Sequence, residues 1–326
     1  MRTAILTDIY GTLVLDEPVL FDLLSSKAVQ RVKGVAQSGL LDAWNGGRNF
    51  SRYDHCVGTM LLLRKVGASL EEQIAGLLHD VSHTAFSHVI DWVIGDSSKQ
   101  DYQDRTHADY IMRTELPDLL KKHSIPLAAA TDPHHYSLLE QPTPELCADR
   151  VDYTLRCATL RGHTTQVQHC IPFLTAHYGR LVFMTGSAAE EFYHLYRHFQ
   201  ETEWGRPSGR YHLLASALRA ALENKIVALE DFYQNDAHMM RKLRASSHEV
   251  IVRSLHLLDH GYTLVRDDVH PDYIVQEKLR YVDPTFLEDG KVLKVSDILP
   301  GYTAWLEEAQ RQSRERRGMR IVPKDS

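Results

Sequence analysis

The run Ala75-Gly76-Leu77-Leu78-His79-Asp80 closes an apolar helical stretch with an adjacent imidazole and carboxylate. Neighbours on a helix point about 100° apart, so both side chains reach one ion only if it sits over the helix end. A mixed nitrogen and oxygen set suits Mn, Fe, Co, Ni or Zn better than Mg or Ca. Alone, such a pair is more often a capping Asp beside a surface His. Here it has company. Ser51-Arg52-Tyr53-Asp54-His55 lies upstream and Ala148-Asp149-Arg150-Val151-Asp152-Tyr153 downstream. Between them stand His83, His88, Asp91 and His107, and His88 and Asp91 share a face if that segment is helical.

The elements that must position these residues are mostly helices. Apolar residues recur at helical spacing through most of the first 230 positions. The pattern predicts helices over 18–38, 54–66, 70–80, 84–95, 106–122, 144–161, 186–202 and 209–230, with prolines breaking the middle of the chain. Between 245 and 300, β-branched residues separated by turn signals predict a small sheet from Tyr262–Val265, Tyr273–Val275 and Val292–Val295. The basic tail RQSRERRGMR reads as a solvated helix end. The fold class expected is mostly α, with a helical core over 1–235 and a small mixed α/β portion over 236–326 packed on it.

Bulk properties narrow the function. The chain has 326 residues, 43% hydrophobic and 25% charged, as expected for a globular protein. A net charge of −6 recruits neither nucleic acid nor membrane, so a polyanionic substrate needs local positive charge from a metal and a few arginines. No apolar run is long enough to span a membrane, and the N-terminus lacks a signal-peptide pattern. Cys56, Cys147, Cys157 and Cys170 form no CxxC pair and read as reduced thiols in a cytoplasmic protein.

The order His … His-Asp … Asp resembles the signature of the HD-domain phosphohydrolases related to the SAM-and-HD-domain dNTP triphosphohydrolases and their bacterial relatives. Six segments carry the likeness in order. Gln30-Arg31-Val32-Lys33 with Gln37 and Gly39 is similar to the family's FQR…QxG, and Arg52 to Gly58 to its RFEHSLG. LLHDVSHTAFSH (Leu77 to His88) is similar to LLHDIGHGPFSH, and Asp149 to Tyr153 matches DRVDY. Tyr196-Arg197-His198 resembles a later YxH, and Lys278 to Pro284 a KxRxxDP segment.

The resemblance implies a helical HD-domain core in which His55, His79, Asp80 and Asp149 hold one divalent transition metal, with Mg as a companion of the substrate phosphates. It implies that His83 contacts phosphate beside that metal. His88 is then the general acid for the leaving alkoxide, with Asp91 and His107 setting its protonation and orientation. Arg52 would fork onto phosphate oxygens, and Gln37, Tyr153 and Tyr196 would contact sugar and base. The activity implied is hydrolysis of a (deoxy)nucleoside triphosphate to nucleoside and triphosphate, in a homo-oligomer whose partner is its nucleotide substrate. Another phosphomonoesterase or phosphodiesterase reaction on the same scaffold, or a nucleotide-binding regulatory role, stays open. Other members use a His-His pair for a second metal, which His107, His134 and His135 could imitate. The chain departs from the pattern at Ser38, where dNTP-specific relatives carry an apolar residue against the sugar, at Cys157 in place of an Asp, and at Ser82 in place of a Gly.

Overall fold

The computed structural model describes residues 3–204, 209–275 and 278–324. Its centre is the Arg52–Lys65 helix. Ser51, in extended conformation, accepts from the Asp54 amide at 3.1 Å while the Asp54 carboxylate accepts from the Ser51 amide at 2.9 Å. This reciprocal cap starts the helix two residues before the predicted position. The helix packs against Leu70–Leu78, itself capped by Ser69, and against Ala148–Leu160. Met60, Leu61, Leu62, Ile74, Leu77, Leu78, Val151 and Leu155 from these three helices are inaccessible to solvent, in a core that extends to the Gly186–Phe199 helix.

A second apolar cluster gathers the helices Gly209–Glu223, Asp236–Arg244 and Glu249–His260 around Trp44, Phe86, Val89 and Ile90. The segment after the His-Asp pair passes from one cluster to the other. Val81 belongs to the first and Ala85 and Phe86 to the second. The buried polar residues Ser82, His83 and Thr84 lie on the crossing, so the candidate site sits on the seam between two cores.

Three predicted helices are broken, and the 209–230 helix stops at Glu223. The stretch 18–38 divides into Pro18–Ser25, Lys27–Arg31 and a 3-10 turn, because Ser26 is extended and its hydroxyl caps the second piece. The stretch 106–122 divides into Tyr102–Met112 and Leu116–Lys122, with Pro117 in the opening turn of the latter. Only Ser87–Val89 and Ile90–Val93 survive from 84–95, since Phe86 and Ser87 have φ of 61° and 49°. A left-handed pair cannot continue a right-handed helix.

The C-terminal strands occur at Tyr262–Arg266, Tyr273–Val275 and Lys291–Lys294, but in two sheets. Lys291–Lys294 pairs with Thr285–Glu288 in a four-stranded sheet with the hairpin Leu174–His177 and Arg180–Phe183. The other two flank Arg317–Pro323. The tail is thus a correction: only its first residues end the Tyr302–Ser313 helix, and from Arg317 on the chain forms the middle strand of a sheet. Met319 alternates inward there, an apolar signal that four arginines between 311 and 317 obscured. An N-terminal hairpin, Ala4–Asp8 with Gly11–Leu15, was also not anticipated. Among the described residues no helix is long and apolar enough to cross a membrane.

Candidate active site

His55 lies one turn into its helix and His79 at the end of the next, and their Nε2 atoms approach to 3.2 Å. Asp149, in the first turn of Ala148–Leu160, places Oδ1 2.9 Å from His55 Nε2 and 3.6 Å from His79 Nε2. Asp80 Oδ2 is 3.6 and 3.7 Å from the same two nitrogens. Ligands about 2.0–2.2 Å from a single ion stand about 3–3.6 Å apart, so this spacing fits a divalent metal. Tautomers agree. His79 Nδ1 is 2.8 Å from the Gly76 carbonyl, which can only accept, so the proton is on Nδ1 and the Nε2 lone pair faces the cluster. His55 Nδ1 lies 2.7 Å from the buried Asp152 carboxylate, which orients the ring in the same sense. Two imidazole lone pairs and the Asp80 carboxylate converge on one point, with Asp149 against both rings, and such a set calls for a cation.

The local field agrees as well. Burial alone would lower His79, yet Asp80, Asp149 and Glu140 outweigh it and push it up to about 10. Burial opposes ionisation of Asp80, but Arg52, then His79 and His83, hold it well below the usual carboxylate range. A site this favourable to positive charge binds a metal by displacing protons. Asp149 lies within ligand spacing of Glu140 and Cys147, a second group of potential ligands apart from the His55, His79 and Asp80 group. Burial and then Asp149 push Glu140 up to about 8.

The remaining predicted residues surround this centre. Arg52, buried, donates through Nη1 to Asp80 Oδ2 and through Nε to Ser87 Oγ at 3.0 Å. His83 Nε2 stands 3.2 Å from Asp80 Oδ1, and its Nδ1 is buried without a partner. Burial and Arg52 hold His83 well below its ordinary value, so it is neutral. His88 meets the His83 ring edge-on at 5.0 Å and places Nδ1 3.2 Å from the buried Asp91, whose other oxygen accepts from the Tyr102 amide. Gln37 directs a buried, unpartnered Oε1 from the loop before Arg52. Tyr153 and Tyr196 share a hydrogen bond of 3.1 Å between hydroxyls, and Tyr153 lies against the His55 ring.

His107 is placed differently from expectation. Its Nε2 donates to the Ala130 carbonyl at 2.7 Å and its Nδ1 accepts from Ser82 Oγ at 2.8 Å. Both nitrogens are committed, one to the turn after the His-Asp pair and the other to the Ala128–Thr131 helix, and no hydrogen bond links His107 to His88 or Asp91. The Ser82 substitution supplies that hydroxyl. Nor do His107, His134 and His135 form a ligand cluster among the described residues.

Several residues of the site escaped sequence reasoning. Arg31 donates to the carbonyls of Val81 at 2.6 Å and His83 at 2.7 Å, pinning the same turn from the other side. Trp204 packs edge-on against both Tyr153 and Tyr196. Lys278 and Arg280 bring positive charge from the C-terminal portion. Arg280 depresses His88 after burial has done so, and Lys278 feels Asp91. The KxR spacing was the available signal. Asp152 also accepts from Tyr10 and Arg156, a network that Gly58 admits. A Cβ at Gly58 would collide with Arg156 Nη2 and Asp152 Oδ1. Gly58→Ala is expected to cost about 1–3 kcal/mol by overpacking and to weaken metal binding about 10-fold or more by turning Asp152 from His55. Thermal melting and metal titration would measure the two effects, and unchanged metal affinity would leave Asp152 no orienting role.

Comparison with known proteins converges on the same region. The HD domain family model matches residues 52–157, from Arg52 past Asp149. The Bacillus subtilis protein YdhJ is 39% identical over 295 residues, 89% of this chain and 90% of its own length. The metal-dependent phosphohydrolase cns2 of Cordyceps militaris is 43% identical over 155 residues, 48% of this chain and 45% of that protein. A phosphohydrolase from Bacteroides thetaiotaomicron shares the fold, with a TM-score of 0.68 over 99% of this chain and 100% of that one, at 17% identity. The family match spans the helices that assemble the His-Asp cluster, and a relative follows the chain nearly end to end: the chain belongs to the HD-domain family of metal-dependent phosphohydrolases.

Proposed function

We propose that the chain hydrolyses (deoxy)nucleoside triphosphates or closely related nucleotides to nucleoside and triphosphate. The observation that carries this reading is the asymmetry around the metal-binding cluster. His83, His88 and Arg52 gather about Asp80, while Tyr153, Tyr196 and Trp204 pack beside His55, with Arg280 near enough to act on both His88 and Tyr196. The first suits a chain of phosphates and the second a nucleoside.

A divalent metal on His55, His79, Asp80 and Asp149 would polarise a phosphate oxygen and lower the pKa of water. Arg52 is placed to exchange part of its Asp80 contact for phosphate oxygens. Neutral His83 carries its proton on Nε2 toward Asp80, so it would reach phosphate as a donor through Nε2 once Asp80 turns to the metal. His88, tethered by Asp91, gives its proton to the departing 5′-oxygen. Gln37 Oε1 is free to accept from the sugar. Assembly into a homo-oligomer belongs to the same reading, and light scattering would give its size.

The test loads the protein separately with Mn, Fe, Co, Ni, Zn and Mg and offers dNTPs, NTPs, monophosphates and cyclic nucleotides. Triphosphate as the product supports the proposal. Inorganic phosphate from monophosphates, or opening of a cyclic nucleotide, would replace it with a monoesterase or diesterase reaction.

Ser38 refines the expectation. It is half-buried beside Gln37, and its hydroxyl accepts only a long 3.4 Å bond from the Leu40 amide. Ribonucleotides should therefore be turned over measurably, and Ser38→Leu should shift preference toward deoxyribonucleotides by about 10-fold or more. Strict deoxyribonucleotide use by the unmodified protein would exclude this role for Ser38.

A further inference from the structure

We infer that Asp236, distant in sequence from every motif above, is a positioning residue of the hydrolytic site. Its carboxylate is buried at the start of the Asp236–Arg244 helix. Oδ2 accepts from the Ala36 amide at 2.9 Å and Oδ1 from the Phe86 amide at 2.8 Å. These amides belong to the two loops that carry Gln37 and His88. One carboxylate therefore ties together segments that share no element.

The tie continues into the site. The Ala36 carbonyl accepts from Ser87 Oγ at 2.7 Å, which directs that hydroxyl proton away from Arg52. Ser87 Oγ then accepts from Arg52 Nε at 3.0 Å, and Arg52 holds Asp80 through Nη1. The Phe86 side of the clamp is where the chain is least able to hold its shape unaided. Phe86 and Ser87 both adopt left-handed conformations that non-glycine residues avoid, directly before His88. Gly39 meets this turn so closely that a Cβ there would strike the Phe86 carbonyl. Asp236 is the one carboxylate bonded to both loops among the described residues. Arg31 and Arg52 are the cations whose charge it feels.

Removing the carboxylate leaves two loop amides without their acceptor. The loops should then open locally while the three-helix metal core persists. This rests on the proposed role of His88 but is tested apart from it. Asp236→Ala and Asp236→Asn are compared with the unmodified full-length chain by melting temperature, metal content and hydrogen–deuterium exchange. Exchange should rise in peptides covering 34–40 and 84–89 and stay unchanged in 52–65 and 148–160. With the nucleotide turned over fastest in the panel above, kcat should fall about 10- to 100-fold with little change in KM, the scale of a misplacement near 1 Å. Asp236→Asn, which keeps one acceptor oxygen, should be intermediate. In the double variant with His88→Ala, the second loss should shrink to about twofold, because both changes remove the same group from action.

Unchanged exchange in the two loops would overturn the inference. So would losses that multiply in the double variant, since Asp236 would then act independently of His88. If His88→Ala alone retained full activity, the acid assignment would fall, and the exchange data would still decide the role of Asp236.

Discussion

Asp80→Ala is expected to strip the protein of bound metal and abolish turnover. Asp80 completes the His55 and His79 group whose atoms are spaced for a single ion, and it also neutralises a buried Arg52. Removing it leaves the buried Arg52 guanidinium without its carboxylate partner. Breaking a buried ion pair from one side typically costs about 3–5 kcal/mol. Arg52 keeps its bonds to Ser87 Oγ and the Gln37 carbonyl, which places the expected loss at the lower end. The melting temperature should fall while the helical circular dichroism is largely retained, because the three central helices are joined by apolar residues rather than by the site. Elemental analysis decides the matter. Metal content equal to that of the unmodified protein would remove Asp80 from the ligand set.

His88→Ala should lose about 10²–10⁴ in kcat, the range typical of general acid catalysis, while binding metal normally. A 5′-alkoxide is a poor leaving group and needs a proton, whereas a nitrophenolate does not. The loss should therefore be much smaller on a nitrophenyl phosphate ester. Equal losses on both substrates would mean that His88 positions phosphate or supports the fold. The pH dependence is a further check. Burial, Arg52 and Arg280 hold His88 below its ordinary value, against the pull of Asp91. An acid must be protonated to act, so in the free enzyme kcat/KM should decline as pH rises through that lowered pKa. Bound phosphates offset Arg52 and Arg280 and favour the imidazolium. The same decline in kcat should thus appear at higher pH, and identical limbs in the two profiles would argue against His88.

The residues of the candidate metal-binding cluster stand out in the sequence because their chemistry is rare and their order distinctive. An apolar helix ending in His79-Asp80 could be a capped helix with a surface histidine, but Arg52 to His55 before it and Asp149 to Tyr153 after it have no place in that arrangement. The central helices were legible for the related reason that a buried face imposes its period on the sequence. The elements that were missed lack a strong period of their own. The Arg317–Pro323 strand is a basic segment whose place is set by two flanking strands, and the 174–183 hairpin joins a sheet completed more than a hundred residues later.

What tertiary structure alone decided is how the groups around the cluster are divided. The family resemblance placed His107 with His88 and Asp91. The fold turns His107 toward Ser82 and Ala130. It joins Asp152 to His55 across 97 positions, and Asp236 to Ala36 and Phe86 across 200 and 150. It also brings Arg280 from the C-terminal portion close enough to depress His88. Ligand identity depends on side-chain chemistry, which the sequence states directly. Tautomer, orientation and local charge depend on which backbone carbonyl, amide or carboxylate lies within about 3 Å, and only the packing of the two cores brings those distant atoms together.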